Sequence, residues 1–113
     1  MDEVLKVLKA LSDRNRMRIV KMLQQRSCCV CELTSVLGIA TSTVSSHLSI
    51  LKDAGIIVDI KDGKWVDYSL NVRTKNTCLI GILGMLTFWL NDDAQVMADL
   101  NTLKNTSRLD LCN

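Results

Sequence analysis

The sequence has no proline and only five glycines in 113 residues. With so few breakers, long uninterrupted helices are favoured. It carries a single histidine, His47, which excludes a multi-histidine metal centre. Paired C-x-x-C units of zinc-ribbon spacing are missing, and no C-x-x-C stands in a βαβ pattern. There is no phosphate-cradling loop and no general base beside the cysteines, so an enzyme reading finds no support and no catalytic cofactor is expected. Long hydrophobic runs are absent too. The most apolar stretch, from Leu79 to Leu90, is too short to span a bilayer and reads as a buried helix, so no membrane partner is expected. Met1 leads straight into Asp2-Glu3-Val4, so no secretory leader is expected. The expectation is a cytoplasmic protein whose five cysteines are metal ligands or inert core rather than a disulfide framework.

What is present is the composition of one folded domain, with 48% hydrophobic and 23% charged residues. The formal charge of +2 is only weakly basic, but it is unevenly spread. Residues 1–26 hold Lys6, Lys9, Arg14, Arg16, Arg18, Lys21 and Arg26 against Asp2, Glu3 and Asp13. Such a front suits either a phosphate backbone or a solvated helix face.

Val4, Leu5, Leu8 and Leu11 form one helical stripe. Ser12 or Asp13 can cap a second helix, with Met17, Val20 and Leu23 on its apolar face. A third, short helix carries Val30, Leu33 and Leu37 and stops at Gly38. After the Gly38-Ile39-Ala40 turn a fourth runs to about Ala54, with Val44, Leu48 and Leu51 inward. Two short helices joined by a glycine-containing turn make a helix-turn-helix. Ile56 to Ile60 then reads as a strand, Asp62-Gly63 as a hairpin turn, and Trp65 to Leu70 as the return strand. A hairpin directly behind a helix-turn-helix is a wing. From Asn76 to Leu103 the pattern is helical again and apolar on several sides, which asks for cover from a second copy of the chain. Residues 1–103 are read as the domain and 104–113 as a flexible polar tail.

In this frame Ser42, Thr43, Ser45, Ser46, His47 and Ser49 lie on the reading helix. Short hydroxyls reach base edges and phosphates without clashing with the groove wall. His47 can contact DNA or pack at the helix edge. Lys61 and Lys64 flank the wing turn and can reach backbone phosphates. Cys28, Cys29 and Cys31 crowd the start of the third helix, where unpaired N–H groups favour thiolates. Thiolate sulfur selects soft ions. In a regular helix positions i and i+2 are turned about 200° apart, so Cys29 and Cys31 chelate one ion only if the turn unwinds toward an extended form.

Residues 5–72 resemble the ArsR/SmtB family of prokaryotic metal-responsive repressors. The resemblance is carried by Leu11-Ser12-Asp13 with Arg16 to Val20, by Cys29-Val30-Cys31-Glu32-Leu33, by Val44-Ser45-Ser46-His47-Leu48 and by Leu51 through Gly55. Gly63 to Tyr68 completes it. The Cys-Val-Cys-acidic-Leu run is similar to that of the family's arsenite and antimonite sensors. The resemblance implies a mainly α winged helix-turn-helix of order α-α-α-α-β-β-α, homodimeric through its first and last helices. It implies a repressor that leaves a palindromic operator when As(III) or Sb(III) binds. The alternative is a redox-responsive or a cadmium- or lead-responsive repressor of the same fold. Three positions depart from the pattern. Thr34 stands where a third cysteine is usual, so either the site is two-coordinate or the third sulfur is Cys28 or, alternatively, Cys112. Ala40 replaces the usual serine cap, leaving Thr41 to cap the reading helix, and Ser46 replaces an arginine. Cys78 is read as core packing. The last helix has acids at Asp92, Asp93 and Asp99 but no histidine, which argues against a zinc site there.

Overall fold

The computed structural model describes residues 1–107. The chain runs α1 (Asp2–Leu11), α2 (Arg14–Gln25), α3 (Val30–Leu37), α4 (Thr41–Asp53), β1 (Ile57–Asp62), β2 (Trp65–Leu70), α5 (Thr77–Leu86) and α6 (Ala94–Lys104). It is a winged helix-turn-helix with one more helix than the sequence pattern suggests. Among the described residues no helix is long and apolar enough to cross a membrane.

The stripe on α1 splits on folding. Val7, Ala10 and Leu11 turn into the core, while Val4, Leu5 and Leu8 stay exposed. Ser12 does not cap α2; its hydroxyl donates back to Leu8 O at 2.7 Å and closes α1. Asp13 is the cap, accepting the Arg16 N–H at 3.0 Å. α2 then drives Ile19, Val20, Met22 and Leu23 into the centre. α3 and α4 close over them with Leu33, Leu37, Val44, Leu48 and Leu51. Gly38 ends α3 at φ 68°, a left-handed conformation that glycine adopts without steric cost.

β1 and β2 pair antiparallel from Ile57↔Leu70 to Asp62↔Trp65. The central turn residues are therefore Gly63-Lys64, one position later than Asp62-Gly63. Gly63, at φ 60°, supplies the positive φ that a type II′ turn needs at its first central position.

The long terminal helix is broken. Asn76 caps α5 by accepting the Cys78 N–H at 2.9 Å. Asp93 caps α6 by accepting the Val96 N–H at 3.0 Å. Between them Leu90 takes φ 66°, which costs a non-glycine residue roughly 1–2 kcal/mol. Lys21 holds this turn. Its buried ammonium donates to Leu86 O at 2.7 Å, satisfying a carbonyl at the end of α5, and to Asn91 Oδ1 at 2.9 Å. Burial pulls the Lys21 ammonium below its ordinary pKa.

α6 packs on α2 and α3. Arg18 fastens it by a two-pronged ion pair to Asp99, with Nε to Oδ2 at 2.8 Å and a second guanidinium nitrogen to Oδ1 at 2.9 Å. Asp99 is only 4% exposed, so removing it leaves the Arg18 cation without its partner. Breaking such a buried pair typically costs about 3 kcal/mol or more. Asp99→Ala is expected to lower the urea midpoint accordingly with an unchanged slope; a loss below about 1 kcal/mol would show that the pair does not hold α6.

Candidate functional site

The cysteine segment sits between α2, α3 and the wing. Cys28 lies outside any helix. Its N–H donates to Tyr68 O at 3.1 Å and its carbonyl accepts the Tyr68 N–H at 2.8 Å, so it forms an antiparallel bridge with β2. Its side chain is in the hydrophobic core, and burial pushes the thiol up to about 12 against the partial pull of Arg26.

Cys29 is the N-cap of α3, in extended backbone at φ −88° and ψ 168°. This revises the picture of two cysteines on one regular helix. Cys29 is already extended and only Cys31 is helical, so any unwinding falls on the turn Val30–Cys31–Glu32. The cap is a reciprocal box with cysteine in the place of serine. The Cys29 sulfur faces the Glu32 N–H, and Glu32 Oε1 accepts the Cys29 N–H at 3.0 Å. Burial raises the Cys29 thiol, partly offset by the Glu32 N–H.

Glu32 itself is 5% exposed and takes Arg26 Nη1 on its other oxygen at 2.7 Å. Burial pushes this carboxyl up, but the Cys29 N–H and the Arg26 guanidinium outweigh it and hold it below its ordinary value. Sequence reasoning missed Arg26 and Glu32 as functional residues. The signal was the capping-box spacing Cys29-x-x-Glu32, hidden because the box is usually written with serine or threonine.

Cys31 is exposed on the first turn of α3, and its sulfur is held in a disulfide. Cys28, Cys29 and Cys78 are not disulfide-bonded. Thr34, in the third-cysteine position, has a buried hydroxyl oxygen without a hydrogen-bond partner. Cys112 lies outside the described residues. Among the described residues no three metal-ligating side chains stand together. The sulfurs at 28, 29 and 31 still suit a soft ion in type and spacing, provided the segment rearranges and Cys31 is reduced.

On the reading helix α4, Ser42, Thr43, Ser45, Ser46 and Ser49 are exposed. The Ser46 hydroxyl donates to Ser42 O at 3.1 Å. Thr41 does not cap α4. The cap is Ala40, which offers no side-chain acceptor to the first-turn N–H groups. Of the two roles open to it, His47 shows the packing contacts. Its side chain is 13% exposed and turned inward, with Nδ1 3.2 Å from Arg16 Nη1 and Nε2 3.9 Å from Asp13. These contacts tie α4 to α2. Lys61 and Lys64 are exposed on the wing, with Lys64 Nζ 4.9 Å from the Trp65 ring centroid.

The basic front also changes meaning. Arg16 donates to Ala10 O at 2.7 Å, and Arg18, Lys21 and Arg26 have the partners given above. These four cations fasten the fold, while Lys9 and Arg14 remain exposed.

Residues 13–58 match the model of the family "Bacterial regulatory protein, arsR family". The arsenic resistance transcriptional regulator ArsR1 of Pseudomonas putida is 34% identical over 98 residues, covering 83% of this chain and 77% of that protein. A cadmium resistance regulatory protein, a CadC homolog of Staphylococcus aureus, is 43% identical over 70 residues, covering 61% of this chain and 58% of its own length. The crystal structure of the transcriptional repressor BigR from Xylella fastidiosa superposes with a TM-score of 0.66 at 27% identity, covering 81% of this chain and 88% of that one.

The burial of the cysteines is open to a direct check. A pKa near 12 in place of 9.0 lowers the Cys28 thiolate fraction on the order of 10³-fold near neutral pH. Iodoacetamide at pH 8 is expected to alkylate Cys78 in the folded protein and leave Cys28 intact, with the difference lost in urea. Peptide mass spectrometry reads the rates; equal rates in the folded protein would contradict the burial of Cys28.

Proposed function

The chain belongs to the arsR family of bacterial regulatory proteins, which bind DNA to control transcription and are not enzymes, and we propose that it is a cytoplasmic operator-bound repressor released by trivalent arsenic or antimony on the cysteine cap. One observation carries this reading. Cys29 is the cap residue of α3, and α3 is the helix on which the reading helix α4 rests. An ion that draws the Cys29 and Cys31 sulfurs to a common side needs both residues extended, because only then do positions i and i+2 share a face. That removes the first turn of α3 and the box that closes it. Leu33 and Leu37, which share one core with Val44 and Leu48, then lose their fixed position, and α4 loses its pose on the duplex.

Ser42, Thr43, Ser45, Ser46 and Ser49 are the proposed contacts to bases and phosphates, and Lys61 and Lys64 the proposed wing contacts. His47 orients the helix from behind. The outward apolar residues of α1 (Val4, Leu5, Leu8) and α5 (Ile80, Met85) are what a second copy would cover, and a homodimer fits an inverted-repeat operator. For the third sulfur, Cys28 serves only if its bridge to Tyr68 opens; Cys112 is the alternative.

Burial of the Cys29 thiol, which raises its pKa, favours arsenite over cadmium, the reading that the CadC homolog would suggest. A neutral trihydroxo-arsenic species exchanges each hydroxyl for a thiol: one S–H and one As–OH give one As–S bond and one water. No proton is released to solvent. A cadmium dication must expel each thiol proton, which a raised pKa opposes. Oxidation is the second reading, favoured by the Cys31 disulfide.

Two outcomes follow for reduced protein on fluorescent operator DNA. Cys29→Ser and Cys31→Ser each keep DNA affinity within about twofold and lose release by arsenite, read by anisotropy; normal release in both would remove the site. Across pH 6.5–8 the concentration of cadmium needed for release falls about tenfold per pH unit for each proton expelled, while that of arsenite stays nearly flat. A flat cadmium response, or release by peroxide alone, would overturn the arsenite assignment.

A further inference from the structure

Arg26 lies just past α2, and its guanidinium touches both the first turn of α3 and the end of α6. Nη1 donates to Glu32 Oε2 at 2.7 Å and to Ser27 O at 3.1 Å. Nη2 donates to the carbonyls of Leu103 and Thr106, both at 3.3 Å. Those carbonyls belong to the last turn of α6 and the residues beyond it, where a helix has acceptors to spare. Glu32 uses its remaining oxygen on the Cys29 N–H. The path therefore runs from the cysteine cap through one carboxylate and one guanidinium to the end of α6.

We propose that Arg26 is a positioning residue that carries the state of the cysteine cap to the carboxyl end of α6. When Cys29 leaves the box, Glu32 loses one of its two partners while still buried. Its charge then draws the guanidinium in fully, and the longer bonds to Leu103 and Thr106 give way. The end of α6 loosens in step with the first turn of α3. Arginine is required because its planar fork serves both sides at once; a lysine ammonium can satisfy Glu32 but has no second arm for α6. The ligand-driven half of this proposal rests on the cysteine cap being the effector site, and the link itself does not.

Hydrogen exchange of the reduced full chain, read by mass spectrometry over residues 100–107, separates the two. Without any ion, Arg26→Lys is expected to speed exchange at Leu103–Thr106 by at least about fivefold while α5 peptides stay unchanged. Glu32→Gln is expected to do the same in the wild-type background and to add nothing in the Arg26→Lys background, the non-additivity that a shared link requires. Arsenite is expected to speed exchange there in wild type and not in Arg26→Lys, although titration of free thiols shows both proteins bound. Additive effects of the two substitutions, or an unchanged rate in Arg26→Lys, would overturn the link. If thiol titration shows no arsenite bound to wild type, the effector reading falls, and the ion-free comparison still decides the role of Arg26.

Discussion

A buried carboxylate on the first turn of α3 constrains everything around it. Glu32 keeps its charge in a largely water-free position only because the Cys29 N–H and the Arg26 guanidinium occupy its two oxygens. Desolvating an ion costs several kcal/mol, and leaving a buried charge unpaired is strongly destabilising. Neither partner can therefore move without the other being affected. The same two residues, Cys29 and Glu32, close the helix and present sulfur at its amino end. Ligand chemistry and helix capping thus compete for the same atoms, and that competition is what a binding event can use to change shape.

The rest of the framework is arranged so that such a change propagates. α2 is the hub. Its apolar face forms the centre of the core, and its cations reach outward to three neighbours: Arg16 to His47 on α4, Arg18 to Asp99 on α6, Lys21 to the turn between α5 and α6. Cys28 adds a backbone bridge to Tyr68 on the wing. The cysteine segment is thereby joined to β2 directly and to the reading helix through α3. What α4 leaves on its outer side is a row of short hydroxyls.

The helix-turn-helix and the wing are legible in the sequence because their signals are local. Gly38 marks the end of α3, Val44, Leu48 and Leu51 mark the inner face of α4, and a glycine marks the hairpin. The register of that hairpin is not legible to one residue, because Asp-Gly and Gly-Lys are both acceptable turn pairs. The break between α5 and α6 is hidden for a different reason. Leu83, Leu86 and Leu90 continue the helical period straight through it, and the residue that stabilises the turn, Lys21, lies 65 positions earlier than Leu86. In hindsight Asn91-Asp92-Asp93 held the local sign of a new cap. The cysteine cluster is visible as a candidate site, but the division of labour within it is not. Nothing near Cys28 in sequence says that it pairs with Tyr68 and is buried. His47 is polar whichever way it points, and only Arg16 and Asp13 decide that it faces inward.

The central claim is that a soft ion on Cys29 and Cys31 unwinds the first turn of α3. Backbone ¹³Cα chemical shifts of residues 29–37, recorded on the reduced protein before and after saturation with arsenite, address it directly. The account predicts that Val30, Cys31 and Glu32 lose their helical shifts while Leu37 keeps its own. Helical shifts retained from Val30 to Leu37 with arsenite fully bound would contradict it.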